Sequence, residues 1–188
     1  IIYDLCSAPG GKASHIIQLT NGNAYLVGVD ISLHRIKVEK IMLNRLLGPK
    51  FIGDLIQGDS TTHLLHTRRA YIVLVDPDCS ALGKLGHSPE IRLWIRKEHI
   101  KHFMDIQYKL LKNACKLVKR GGIIAYSTCT FTLEENEGVV SKVIEEEGLE
   151  VVEPKLKLGD EGIGIKYARR FYPHKHDVQG FFYVLLKK

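Results

Sequence analysis

Two cysteines follow apolar runs with the character of buried strands, where a thiol can be presented to a substrate. Cys79 ends the segment AYIVLVDPDC, and Cys129 ends IIAYSTC, just before an acidic helical segment. A thiolate is a strong nucleophile, but cysteine is also among the residues most often buried in a core. From the residues alone, a catalytic role and a packing role for these two cysteines are equally well supported.

Strands and helices alternate along the chain. The pattern predicts strands over 1–6, 24–30, 51–59, 70–79, 123–129, 149–154 and 180–188, and helices over 10–20, 32–48, 97–119 and 133–148. This alternation is typical of an α/β fold in which helices cover both faces of one doubly wound sheet. Ligands bind such sheets at the carboxyl ends of the strands. Six candidate residues fall at those ends: Cys6, Asp30, Asp59, Asp76, Cys79 and Cys129.

The loop DLCSAPGGK, residues 4–12, joins the first strand to the first helix and has the composition of a ligand-binding turn. Gly10 and Gly11 let backbone N–H groups approach a ligand closely. The loop fits neither the Walker A nor the G-x-G-x-x-G pattern, yet Asp30 ends the next strand, where a ribose-binding acid belongs. This combination suits a nucleoside without a polyphosphate, of which S-adenosylmethionine is the common example. A plain tight turn is the alternative.

Six segments, in this order, resemble the motifs of the NOL/NOP/Sun family of RNA (cytosine-5) methyltransferases: DLCSAPGGK, VDISLHRI, GD at 58–59, VDPDCSALG, YSTCTFTLEENE and RFYPHKHDVQGFF. The resemblance implies a class I, Rossmann-like methyltransferase fold, with a seven-stranded, mostly parallel sheet whose last strand is antiparallel. It also implies S-adenosylmethionine as cofactor, with Asp30 at the ribose and Asp59 at the adenine. The implied cofactor-binding residues are Cys6, Ser7, Ala8, Pro9, Gly10, Gly11, Lys12, Asp30, Arg35, Asp59 and Asp76.

The resemblance also implies a reaction. Cys129 would add to C6 of cytosine, which makes C5 nucleophilic enough to attack a sulfonium methyl group. Cys79 would take part in product release, and Asp76 would offset negative charge at N3 of the ring. The helix start and basic surroundings would lower the pKa of Cys129, whereas Glu134 and Glu135 would oppose this effect.

One motif departs from the family pattern D-A-P-C-S-G, because residues 76–81 read DPDCSA. We expect the extra carboxylate of Asp78 to raise the pKa of Cys79. We also expect Ala81, in place of glycine, to lose access to positive φ. Both changes affect the loop that carries the proposed release residue.

Two segments rich in Lys, Arg and His, 82–103 and 168–177, are candidate RNA-contact surfaces. In the first, Trp94 would stack on a base, and packing of Trp94 inward is the equal alternative. The second fits the family's late motif beside the active site through Arg170, Pro173 and His176. We expect no metal at the pair His174 and His176, because two histidines without a third ligand make a weak site.

Other charged and apolar clusters have structural interpretations. The acid runs 134–137 and 145–147 read as complements to a helix dipole and as solvated faces. Cys115, on the long helix, is expected in the core. A surface loop is expected to hold His63, His66, Arg68 and Arg69.

The bulk composition favours one globular domain over 1–188, since 45% of the 188 residues are hydrophobic and 26% are charged. The net charge of +6 suits RNA, either tRNA or rRNA, although a merely solvated surface would also account for it. No run is long enough for a membrane span, and no C-x-x-C pair suggests zinc. We expect a monomeric, cytoplasmic protein with reduced thiols (nucleolar in a eukaryote). Because Ile1 already begins a strand, we also expect a fragment that lacks upstream elements.

Two alternatives to the methyltransferase hypothesis stay open. A non-catalytic RNA-binding or ribosome-assembly factor could retain the fold. A methyltransferase acting on an amino group would need an N/D-P-P-Y/F motif after the fourth strand. Residues 76–79 lack the second proline and the aromatic residue, and that chemistry has no use for Cys129.

Overall fold

The computed structural model describes residues 1–62 and 70–188, which form an α/β fold on one mixed sheet. Within these ranges the strands are β1 Ile2–Asp4, β2 Leu26–Asp30, β3 Gly53–Gln57, β4 Ala70–Val75, β5 Val118–Thr128, β6 Glu150–Val152, β7 Asp160–Glu161, β8 Arg169–Phe171 and β9 Phe181–Lys187. The α-helices are α1 Gly11–Leu19, α2 Leu33–Leu47, α3 Ile91–Trp94, α4 Lys97–Leu117, α5 Val139–Glu147 and α6 Pro173–His176. The predicted surface loop with His63, His66, Arg68 and Arg69 lies outside the described residues.

The sheet has the order β3-β2-β1-β4-β5-β9-β8-β7, and β6 also pairs with β9. Strands β1 to β5 are mutually parallel, and β9 runs antiparallel to β5, which confirms the predicted last strand. The sheet has nine strands within the described ranges, against seven predicted, because the apolar pattern does not indicate β7 and β8. Strands of two or three residues are too short to show a period-two pattern.

Two hydrophobic clusters cover the two faces of the sheet. Tyr3 of β1 points into a cluster closed by α4 and α5, whereas its neighbour Ile2 points into a cluster closed by α1 and α2. Successive side chains of a strand face opposite sides of the sheet, so both faces need helices. Cys115 of α4 is fully buried in the first cluster, as predicted. Within the described part of the chain, no helix has the length and apolar character needed to cross a membrane.

The apolar residues of α2 predict a buried stripe made of Ile36, Ile41, Leu43, Leu46 and Leu47. Ile36, Leu43 and Leu47 are buried as predicted, but Ile41 and Leu46 are exposed. The position that completes the buried face is Glu39, which is fully buried. A helical face repeats every three or four residues, so residues 36, 39, 43 and 47 share one side whatever their polarity.

The acid run 134–137 forms a π-helical turn, Glu134–Gly138, that leads into α5. The prediction that this run is solvated is wrong for Glu135 and Glu137, which are buried. Glu137 forms a buried ion pair with Arg170 of β8, whose Nε donates to Glu137 Oε1 at 2.6 Å. Nη1 of Arg170 also donates to the carbonyl oxygen of Phe131 at 2.9 Å. Buried charges need such partners, so this acid is a structural cross-link between β8 and the turn.

We predict that Arg170→Ala lowers the free energy of unfolding by about 3–5 kcal/mol, because it leaves the carboxylate of Glu137 buried without its partner. Urea titration followed by circular dichroism measures this change. The control is Lys175→Ala, which removes an exposed pair with Asp160 and should change stability far less. Equal small losses in both variants would show that the buried pair does not stabilise the fold.

Candidate active site

A cavity of about 370 Å³ opens at the carboxyl ends of the parallel strands. Its lining includes the following residues from the last position of β2, the loops after β1, β3 and β4, and the start of α2: Cys6, Asp30, Arg35, Asp59, Asp76 and Asp78. Five of them are residues that the sequence singled out as cofactor-binding candidates, the exception being Asp78. The cavity therefore lies at the edge where open α/β sheets bind their ligands.

The turn after β1 needs glycine at position 10, both for its left-handed backbone and for the room that α2 leaves it. Gly10 has φ of +96°, and a Cβ atom built there would lie 2.7 Å from Met42 and 2.8 Å from Glu39. Its N–H donates to the carbonyl oxygen of Ser7 at 2.8 Å. Of the predicted turn residues, Cys6 lines the cavity, and the others lie outside its lining, namely Ser7, Ala8, Pro9, Gly10, Gly11 and Lys12.

Two buried acids that the sequence analysis did not single out lie beneath this turn. Asp4 accepts a hydrogen bond from the backbone N–H of Cys6 at 3.2 Å, and Glu39 accepts one from the Ser7 hydroxyl at 2.9 Å. Burial raises the pKa of Asp4 to about 7 and also raises the pKa of Glu39. Two features of the sequence could have indicated that these acids are buried: Asp4 lies inside the short strand β1, and Glu39 lies on the apolar face of α2.

The carboxylates that follow β2 and β3 are oriented by their own loops. Asp30 is buried, and its Oδ1 accepts from the Ser32 N–H at 2.9 Å. Arg35 lies 3.5 Å from the other oxygen of Asp30. Oδ1 of Asp59 accepts from the backbone N–H and the hydroxyl of Thr61 at 2.8 and 2.7 Å. These bonds fix carboxylate oxygens on the cavity wall, where they can accept from the hydroxyl groups of a ligand.

Asp76 connects the cavity to the strand that leads to Cys129. Its Oδ1 accepts from the hydroxyl of Ser127 on β5 at 2.7 Å, and its Oδ2 pairs with the Lys12 ammonium group of α1. Ser127 and Cys129 are two residues apart and so point to the same side of the extended chain. The interaction places Asp76 between the cavity and the cysteine.

The sulfur atoms of Cys79 and Cys129 lie 2.9 Å apart. The hydrogen bond from the Cys79 thiol, followed by the positive charge of Lys84, lowers the pKa of Cys129 to about 7 against burial. The same hydrogen bond and burial raise the pKa of Cys79. Of the two thiols, Cys129 is therefore the one that ionises more readily, with the Cys79 thiol as its hydrogen-bond donor. Cys129 is half-buried and Cys79 is buried, and both lie beside the cavity wall rather than in it.

The motif at residues 76–81, which departs from the family pattern, differs from our expectations for Cys79 and Ala81. The pKa of Cys79 is raised, but by Cys129 and burial, while the exposed carboxylate of Asp78 lies 4.0 Å from Arg35. The expectation for Ala81 is wrong, because it adopts a left-handed conformation with φ of +55°. An alanine can occupy this region at a cost of about 1–2 kcal/mol. The close backbone contact is made instead at Gly83, whose N–H donates to the Cys129 carbonyl oxygen at 3.0 Å.

Helix α4 contributes a wall of the cavity that the sequence analysis did not assign. His102, Phe103, Ile106 and Lys109 line it. Their spacing of three and four residues marks one helical face, which could have been read from the sequence. Trp94 of α3 is exposed, so its proposed stacking on RNA stays a prediction.

The late motif lies outside the cavity lining. Arg170 contacts the loop after Cys129 through the Phe131 carbonyl oxygen. Nδ1 of His176 accepts from the Tyr172 N–H at 2.9 Å, and its Nε2 lies 3.5 Å from Asp160. Among the residues that the structure describes, no three His, Cys, Asp or Glu side chains are arranged to hold a metal ion.

A protein-family model described as 16S rRNA methyltransferase RsmB/F matches residues 1–187. The chain belongs to this family. A tRNA (cytosine(72)-C(5))-methyltransferase from Pyrococcus horikoshii is 36% identical over the whole chain, which covers 47% of that relative. A 28S rRNA (cytosine-C(5))-methyltransferase from Mus musculus is 30% identical, and there the chain covers 25%. The chain thus spans less than half the length of these curated relatives.

Solved structures confirm the class I, Rossmann-like methyltransferase fold. The crystal structure of NSun6 from Pyrococcus horikoshii with SFG superimposes with a TM-score of 0.91 at 35% identity, covering all of this chain and 47% of that one. TrmN from Thermus thermophilus, at 11% identity, gives a TM-score of 0.64 and covers 43% of that chain. At that identity, the likeness to TrmN bears on the fold alone.

We predict that the rate at which iodoacetamide alkylates Cys129 rises with pH and has its midpoint near pH 7. The thiolate is the form that reacts, and the pKa of the Cys129 thiol is lowered to about 7. In Cys79→Ala the donated hydrogen bond is lost, so the midpoint should rise toward the ordinary value of 9.0. Peptide mass spectrometry across a pH series measures both. Cys115, whose pKa burial raises to about 12, is an internal control. An unchanged midpoint in Cys79→Ala would contradict the thiol–thiolate pair.

Proposed function

We propose that this chain is the catalytic domain of an RNA cytosine-C5 methyltransferase that uses S-adenosylmethionine. The observation that carries the proposal is the pair of sulfur atoms, 2.9 Å apart, beside an acid-lined cavity at the strand ends. Covalent catalysis on a pyrimidine needs one ionised thiol as nucleophile, and this pair supplies one. Membership of the RsmB/F family and relatives named as tRNA and rRNA cytosine-C5 methyltransferases support the same reaction.

The cavity residues fit S-adenosylmethionine. A volume of about 370 Å³ is within the range of small-molecule sites. Asp30 and Asp59 present acceptors for the ribose hydroxyls and the adenine side, and the apolar side chains of Phe103 and Ile106 offer a wall for the base. When bound, S-adenosylmethionine would supply a sulfonium methyl group as the electrophile. The structure of NSun6 from Pyrococcus horikoshii was solved with SFG, an analogue of S-adenosylmethionine, which supports a cofactor of this class.

Asp30→Asn should weaken binding of S-adenosylmethionine by about 10- to 100-fold, because a hydrogen bond to a charged acceptor contributes roughly 1.5–3 kcal/mol. Isothermal titration calorimetry on the full-length protein measures the affinity. The matched control is Asp105→Asn on the exposed side of α4, which should bind like the wild type. If both variants bind equally well, Asp30 does not hold the cofactor.

The chain's own residues account for the chemistry on the base. The Cys129 thiolate adds to C6 of cytosine, and negative charge then develops at N3. We assign the hydrogen bond to N3 that offsets this charge to Asp76, which accepts from the Ser127 hydroxyl and pairs with Lys12. Once C5 has been methylated, its proton passes to a water molecule and Cys129 leaves C6 as the thiolate, which restores the aromatic ring. Cys79, within hydrogen-bond distance of the same sulfur, takes part in this release.

The RNA would approach across α3 and the start of α4. Arg92, Arg96, Lys97 and Lys101 are exposed there, beside the exposed indole of Trp94. Cations and an aromatic ring on one surface suit phosphate contacts together with base stacking. The target base must be flipped to reach Cys129.

We predict that Cys129→Ala abolishes methyl transfer, a loss of at least about 10³-fold for a covalent nucleophile, while cofactor affinity is retained. Transfer of tritium from labelled cofactor to tRNA and rRNA extracted from cells lacking the protein measures the rate. Cys79→Ala should instead accumulate a protein–RNA species that survives denaturing gel electrophoresis, because addition by Cys129 is slowed but still occurs, whereas release does not.

Cys115→Ala is the thiol control for both measurements, since Cys115 lies in the core away from the cavity. Turnover in Cys129→Ala would refute its assignment as the nucleophile. A wild-type protein that binds this RNA without methylating it would instead favour the non-catalytic factor. Bisulfite sequencing then locates the methylated cytosine as the position whose signal is lost in RNA from cells lacking the protein.

A further inference from the structure

A buried carboxylate lies between the two loops that carry the cysteines. Glu135, in the π-helical turn after β5, is fully buried and accepts four hydrogen bonds. Its Oε1 accepts from the Ser80 backbone N–H at 2.8 Å and from Gln107 Nε2 at 3.0 Å. Its Oε2 accepts from the hydroxyl groups of Ser80 and Thr132, the latter at 2.8 Å. Both oxygens are thereby saturated.

These donors are the sequence neighbours of the two thiols. Ser80 directly follows Cys79, and its hydroxyl also lies 2.7 Å from the hydroxyl of Thr130, which directly follows Cys129. Gln107 of α4 donates to the carbonyl oxygen of Asp78, directly before Cys79. One carboxylate therefore ties down the backbone on both sides of Cys79 and reaches the loop of Cys129 through Ser80.

Glu135 is itself fixed to the strand that delivers Cys129. Its backbone carbonyl accepts from the hydroxyl of Tyr126, a buried residue of β5, at 2.6 Å. The next residue, Asn136, accepts at its side-chain oxygen from the Thr128 hydroxyl and donates to the Thr130 carbonyl oxygen at 3.1 Å. π-Helical turns of this kind occur frequently at functional sites. The carboxylate thus has a rigid base on β5 from which to hold the other loop.

The number of donors requires a carboxylate. An ionised carboxylate offers about four lone-pair sites and no proton, whereas an amide has one oxygen and a competing N–H donor group. Glutamine at this position would place its NH₂ group against two of the four donors. A buried donor left unpaired is costly, so the two loops would separate or rearrange to find other partners.

We infer that Glu135 is a positioning residue that holds the Cys79 thiol against the sulfur of Cys129. It touches neither sulfur and acts through Ser80, Thr130 and Gln107. The inference rests on the proposed function for its catalytic meaning, but the contact between the two thiols can be measured without any turnover.

The test compares Glu135→Gln with Glu134→Gln in the full-length protein. Glu134 is the adjacent acid and is exposed, so the two variants remove the same charge from neighbouring positions. Iodoacetamide alkylation of Cys129 is followed by peptide mass spectrometry from pH 5.5 to 9.5, a range in which the thiol titrates. In Glu135→Gln the midpoint should rise by about one pH unit, and alkylation at pH 7 should slow by about fivefold. Glu134→Gln should match the wild type.

Val143→Ala distinguishes positioning of the thiols from a general loss of stability. It leaves a cavity in the core beneath α5, so it should destabilise the protein without changing the alkylation midpoint of Cys129. Should Glu135→Gln fail to fold, Ser80→Ala removes one of the four donors and should shift the midpoint in the same direction. A folded Glu135→Gln or Ser80→Ala protein with the wild-type midpoint would overturn the inference.

Methyl transfer gives a separate readout. Glu135→Gln should lower kcat by about 10- to 100-fold, as expected when a catalytic pair is displaced, with an unchanged KM for the cofactor. If the alkylation midpoint shifts in Glu135→Gln but the wild-type protein transfers no methyl group, the proposed function is refuted and the positioning role still holds. If the wild type is active and Glu135→Gln has the same kcat, only the positioning role is refuted.

Discussion

The contact on which the site depends joins the sulfur atoms of Cys79 and Cys129. The sulfur atoms lie 2.9 Å apart, and a hydrogen bond from the Cys79 thiol lowers the pKa of Cys129 while it raises the pKa of Cys79. Neither cysteine could achieve this alone, because both are substantially buried and burial disfavours a thiolate. The two sulfur atoms come from loops 50 residues apart, so the rest of the domain serves to bring those loops together.

The parallel sheet brings the loops of Cys79 and Cys129 to the same edge, and buried polar groups then set the positions of these loops relative to each other. Adjacent strands β4 and β5 deliver the two loops to one edge, and the Asp76–Ser127 bond ties that edge to the cavity. The carboxylate of Glu135 then sets the separation of the loops, while Glu137 and Arg170 secure the turn from behind. Buried hydrogen-bond networks of this kind restrict the loops to a single arrangement.

The sequence revealed the features that depend on local pattern and left out those that depend on packing. Alternating apolar runs predicted the fold and the strand-end positions of Asp30, Asp59 and Asp76. Glu135 looked like part of a solvated acid run, because its partners lie on other elements and leave no trace in its own neighbourhood. Ala81 was misjudged because the left-handed conformation is imposed by the loop rather than chosen by the residue. The cavity wall from α4 was missed because its register against the sheet was not known.

The central claim is that Cys129 bonds to a pyrimidine, and 5-fluorocytidine tests it most directly. Fluorine at C5 cannot leave as the proton does, so the covalent species should persist. The full-length protein would be incubated with cofactor and with tRNA or rRNA transcripts containing 5-fluorocytidine, digested with nuclease and protease, and analysed by mass spectrometry. The account predicts a nucleotide remnant on the peptide containing Cys129 and on no other thiol. A remnant on Cys79 instead, or none in a preparation that methylates ordinary RNA, would contradict it.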